Sequence, residues 1–88
     1  MKFSDYPADK PVVTTTFVTE KYSPLISIVI DSEGDIEALS ADEAEMEEAV
    51  IITLEQLATI DPSVKTIANM NSGSSFIKNP ETRIWAKS

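Results

Sequence analysis

Six residues in a row, Leu25-Ile26-Ser27-Ile28-Val29-Ile30, contain a single polar side chain. The run has the length of a strand and is far too short to span a bilayer. Alternation puts Ile26, Ile28 and Ile30 on one face and Leu25, Ser27 and Val29 on the other. Both faces are largely apolar, which places this strand at the centre of a sheet. The rest of the chain must supply its neighbours.

Val12 to Thr19 is dense in β-branched residues, whose stiff side chains suit a pleated strand. Lys21-Tyr22-Ser23-Pro24 reads as a turn. Asp31 to Asp35 forms a second turn, with Gly34 at the positive-φ position, and Ile36 to Leu39 closes a hairpin. Ala49 to Ile52 is the next strand. Thr53 and Gln56 then form a capping box that opens a helix with Leu54, Leu57, Ala58 and Ile60 at helical spacing. Asp61-Pro62 restarts a helix, Asp61 as cap and Pro62 in the first turn. Its inner face is Val64, Ile67 and Ala68, and it ends around Asn69 to Gly73. Ser74 to Lys78 and Arg83 to Lys87 are strands about a turn at Asn79 to Thr82.

Ser40 to Glu48 is ambiguous. Ser40 and Glu43 match a capping box, but Glu47 and Glu48 oppose the helix dipole and no base lies four residues from an acid. One or two turns of helix, with Ala41, Ala44 and Met46 inward, or an acidic loop are the two outcomes expected. Pro7 and Pro11 make residues 1–11 a flexible N-terminal arm, and residues 12–88 form a single domain. The expected fold class is α+β, an antiparallel sheet of about five strands with a short helical segment packed on one face.

The chain has 88 residues, no cysteine and no histidine. Disulfides, thiol catalysis and the usual general base and zinc ligand are therefore excluded. An enzyme would have to work with carboxylates, Lys or hydroxyls alone, so a non-catalytic protein without cofactor or metal is expected. The start of the chain turns polar at once, which predicts a cytoplasmic protein.

Charge is distributed unevenly. The net charge is −8, and no Lys or Arg occurs from Tyr22 to Val64, a stretch holding eleven acids. Such a chain is repelled by nucleic-acid phosphates and by anionic membranes. Solubility alone would account for the excess. A contact with a basic protein surface is the sharper reading.

Three motifs invite chemistry and fall short. Asp31, Glu33, Asp35 and Glu37 resemble a calcium loop, but Gly34 stands at position four of it instead of six. Ser72-Gly73-Ser74-Ser75 lacks the spacing and the lysine of a phosphate loop and reads as a turn. Trp85, the single tryptophan, reads first as a packing residue.

The order Pro24-Leu25, Gly34-Asp35, Ser40 with its acidic insert, Ile52-Thr53-Leu54-Glu55, Asp61-Pro62-Ser63-Val64 and Gly73-Ser74-Ser75-Phe76 resembles the immunity protein 33-like family of bacterial domains of unknown function. The likeness covers residues 12–87. It departs at Ile36, where an aromatic often stands, and at Lys78, where an Arg often stands. The resemblance implies a cytoplasmic immunity protein that neutralises a cognate toxin by stoichiometric binding. The expected contact face is Asp35, Glu37, Asp42, Glu43, Glu45, Glu47 and Glu48. The alternatives are an acidic inhibitor that mimics nucleic acid and an oligomeric module pairing with a second copy of itself, as a homodimer.

Overall fold

The computed structural model describes residues 5–43, 45–67 and 71–88. It is an α+β fold, with strands β1 (Pro11–Thr15), β2 (Leu25–Ile30), β3 (Ile36–Ser40), β4 (Ala49–Thr53), β5 (Ser75–Lys78) and β6 (Trp85–Lys87). Two helices, α1 (Thr16–Thr19) and α2 (Leu54–Ile60), and 3-10 turns at Met46–Glu48 and Pro62–Thr66 complete the described elements.

All six strands join one sheet in the order β4-β1-β3-β2-β5-β6. That is one strand more than expected. The sheet is mostly antiparallel, but β1 and β3 run parallel, with Val12 beside Ile36. The parallel pair arises because the β2–β3 hairpin docks on β1 through its second strand. β4 then returns antiparallel along the other side of β1, Val13 facing Ile51.

β2 is an inner strand, as its composition demands, but only one of its faces is covered. Ile28 and Ile30 are buried, whereas Val29 is exposed on the open face. A register shift between Leu25 and Ser27 breaks the alternation and turns Leu25 inward too. The covered face carries Val12, Ile36, Ala38 and Phe76, and onto it pack Val18, Leu54, Leu57, Ala58, Val64 and Ile67.

The β-branched run does not stay extended to Thr19. β1 ends at Thr15, opposite the first residue of β4, and the chain turns into α1. The pairing with β4 ends at Thr15, and one helical turn then carries Val18 into the core. Packing overrides propensity here.

The capping box of α2 forms as expected. Thr53 N donates to Gln56 Oε1 at 2.8 Å, and Gln56 N donates to Thr53 Oγ1 at 3.1 Å. Leu54, Leu57 and Ala58 point inward, but Ile60, expected on the same face, is the last residue of α2 and is exposed. Asp61 caps the following turn by accepting from Ser63 N at 3.0 Å. That turn is 3-10, over Pro62–Thr66, and shorter than expected; Ala68 lies outside the described residues.

Gly34 and Gly73 have φ of 87° and 80°. The two turns touch: Gly73 N donates to Ile30 O at 2.7 Å. The described part of the expected N-terminal arm, residues 5–11, is tied to α2. Leu54 N donates to Lys10 O at 2.9 Å, Glu55 N donates to Ala8 O at 3.0 Å, and Tyr6 packs against the core.

Candidate functional site

Asp61 and Lys78 meet where the 3-10 turn after α2 crosses β5. Strand alternation sends Phe76 and Lys78 to the covered face, so Lys78 is only 8% exposed. A buried ammonium needs a partner, and Asp61 Oδ2 accepts from Lys78 Nζ at 2.5 Å. Asp61 Oδ1 also accepts from Ser63 Oγ at 2.6 Å, and Ser63 Oγ accepts from Trp85 Nε1 at 2.9 Å. The Lys78 ammonium lies 5.4 Å from the Trp85 ring centre, within cation–π range. Burial alone would raise the Asp61 carboxyl. Hydrogen bonds from Lys78 and Ser63, with the Lys78 charge, outweigh it and hold the group below 3.8.

Asp61, Ser63 and Lys78 of this network line a cleft of about 570 Å³ together with Tyr22, Leu25, Ile26, Ile60, Pro62, Pro80 and Arg83. The volume is that of a small-molecule site. Among the described residues, both non-glycine residues in the left-handed region, Tyr22 at φ 56° and Arg83 at φ 59°, line it. Its three network residues are engaged: the Ser63 hydroxyl donates to Asp61 and accepts from Trp85, and Lys78 is paired with Asp61. The arrangement works as a strut joining the turn to β5 and β6. Asp61 caps the turn and Trp85 packs against the core, as their sequence positions predict, whereas their link through Ser63 and Lys78 is not evident from the sequence. The inward position of Lys78, two residues after Phe76, is the signal that could have found it.

The acidic residues expected to form one contact face divide into two groups. Asp35 lies at the β2–β3 turn, where its backbone N donates to Asp31 Oδ1 at 2.9 Å. Glu37 projects from the open face of β3, between Val13 of β1 and Val29 of β2. The others, Asp42, Glu43, Glu45, Glu47 and Glu48, lie past the far end of β3, roughly 16 Å on at the usual strand rise. Ser40 ends β3 and opens no helix. Its hydroxyl donates to Asp42 Oδ2 at 2.7 Å, and Glu45 N donates to Glu48 Oε2 at 2.8 Å. The Ser40 hydroxyl first, and that of Ser23 second, hold the Asp42 carboxyl below 3.8. Met46, expected to face inward, is 94% exposed, and Ala44 lies outside the described residues.

Among the described residues, Glu43, Glu45, Glu47 and Glu48 make no ion pair; the bridge between Lys78 and Asp61 lies elsewhere. No three or more carboxylates are grouped to hold a metal ion among the described residues. Asp31 Oδ1 instead accepts from the backbone of Glu33 and Asp35, each at 2.9 Å, which spends it on the turn. No helix there is long and apolar enough to cross a membrane.

Comparison with protein-family models, with curated proteins and with solved structures finds no match to this chain.

Proposed function

We propose that this chain is a non-catalytic binding protein that blocks a basic partner protein by occupying its surface. One observation carries the reading: the connection from β3 to β4 presents Glu43, Glu45 and Glu47 to solvent without a cationic partner among the described residues. Carboxylates so placed are worth little to the fold, since even a paired surface charge contributes little to stability. They are worth much to encounter with a cationic surface, where complementary fields raise association rates by orders of magnitude.

The resemblance to the immunity protein 33-like family narrows this reading to a cognate toxin, held one-to-one in the cytoplasm. A nuclease with a basic cleft is the toxin chemistry that the charge suits best.

Affinity capture of the tagged protein from nuclease-treated host lysate, washed at low and at high salt, tests it. One stoichiometric basic partner that survives high salt is the expected result. Partners that leave on the salt wash and compete with DNA would replace the reading with a nucleic-acid mimic. Recovery of the protein alone, as a stable dimer by sedimentation, would replace it with a self-associating module.

A further inference from the structure

The two edges of the sheet are guarded unequally. β6 is three residues long and carries Lys87. β4 at the other edge is Ala49-Val50-Ile51-Ile52-Thr53, with no charge, no proline and no register shift against β1. Exposed edges are normally blunted by brevity, lysine, proline or a bulge, and β4 has none of these. It pairs on one side only, so alternate backbone groups face outward with no neighbouring strand among the described residues. Its side chains are also incompletely covered. Ile51 is 72% exposed on the open face, beside Val13, while Val50 and Ile52 on the helix-covered face are half-buried where the core thins out. A strand laid along β4 would complete the burial on both faces.

Charge selects which strand. The chain enters β4 from Glu45, Glu47 and Glu48 and leaves it into Glu55. A second copy pairing antiparallel would bring the Glu47–Glu48 end of one β4 to the Glu55 end of the other, like against like. A segment with basic ends turns the same repulsion into attraction. We propose that β4 is a docking edge for an extended segment of a cationic partner protein, apolar at its centre and flanked by Lys or Arg, added as a seventh strand. The inference rests on the proposed basic partner and adds the mode of contact: main-chain bonds hold the segment, and the glutamates choose it.

The probe is a synthetic peptide with a Thr-Val-Thr-Val-Thr centre between lysine pairs, titrated into the intact 15N-labelled protein. Three controls accompany it: the same peptide N-methylated at alternate backbone amides, its glutamate-flanked counterpart, and the variant Ile51→Lys. The expected result is saturable binding that slows amide exchange in β4 at least tenfold. N-methylation and Ile51→Lys each weaken it tenfold or more, the variant keeping its circular dichroism. Equal binding of the N-methylated peptide would overturn strand addition and leave the basic-partner reading standing. Equal binding of the glutamate-flanked peptide would overturn the charge selection on which both rest. Failure of the lysine-flanked peptide to bind would overturn the docking edge, while the salt-resistant capture above judges the basic partner separately. Concentration-dependent shifts in β4 without peptide would put a second copy there instead.

Discussion

Lys78 on β5 and Asp61 before the second 3-10 turn, seventeen residues apart in sequence, form the ion pair that ties the helical layer to the end of the sheet. Removing one member leaves the other charged and poorly solvated. Lys78→Met is expected to cost about 3 kcal/mol. Adding Asp61→Leu should recover most of that, short of about 1 kcal/mol for the lost cap on Ser63. Urea unfolding followed by the fluorescence of Trp85, which lies over Lys78, measures both. Equal stability of Lys78→Met and the parent would show that the pair holds nothing.

The same carboxylate sets an acid limit. Burial pushes Asp61 up, the bonds from Lys78 and Ser63 pull it down further, and the net is a group held below 3.8. A carboxyl lowered by folding contributes stability that is complete above its unfolded value of about 3.9 and lost as pH falls through the folded value. Stability should therefore stay level in this respect from neutral pH to about 5, and decline below about 4. Asp61→Asn should flatten that acid limb in a pH series of urea midpoints.

Thr14 Oγ1 is buried in β1 without a hydrogen-bond partner, in a residue that is 0% exposed. An unmade hydrogen bond in the core is a standing cost, and valine keeps the shape while dropping the hydroxyl. Thr14→Val is expected to stabilise the protein by about 1 kcal/mol, read as a higher urea midpoint at unchanged slope.

Gly34 and Gly73 both hold a positive φ at their turns, a region that costs a residue with a Cβ. A Cβ on Gly34 would stand 3.7 Å from Ser72 Oγ, an ordinary contact, so sterics with neighbours add nothing. Gly34→Ala should cost about 1–2 kcal/mol through the backbone alone, and Gly34→Asn distinctly less. Thermal unfolding of the two variants separates these effects.

Lysine at positions 43, 45 and 47, each replacing an exposed glutamate, is expected to leave the fold intact and slow association with the captured partner at least tenfold at low salt. The rate difference should shrink as salt is raised. Stopped-flow association measures it, and an unchanged rate would remove the acidic surface from the binding reaction.

Local signals carried much of the fold. The Thr53–Gln56 box, the Asp61-Pro62 restart, the two glycine turns and the inner position of β2 are all short-range chemistry, readable wherever side chain and backbone lie within a few residues. What escaped was set at long range. The end of β1 at Thr15 depends on where β4 begins. The parallel alignment with β3 depends on which side of the hairpin docks, and neither is written in residues 11–19. The acids looked like one face because they are neighbours in sequence. β3 intervenes and carries Asp35 and Glu37 to its opposite end. The Asp61–Ser63–Lys78–Trp85 network was half visible, in the cap and in the alternation that buries Lys78, but its closure required the turn and β5 to cross.

β1 precedes the other described strands in the chain and yet lies between β4 and β3. Val12 faces Ile36 on one side and Ile52 on the other. The hairpin of β2 and β3 can close by itself as it emerges, whereas β1 must wait, unpaired, for both of its partners to be synthesised. Assembly is then paced by closing long loops, which is slow compared with a helical domain of this size. It also makes β1 a keystone: a product lacking residues 11–15 would lose the strand that joins β4 to the rest, and the sheet would come apart in the middle.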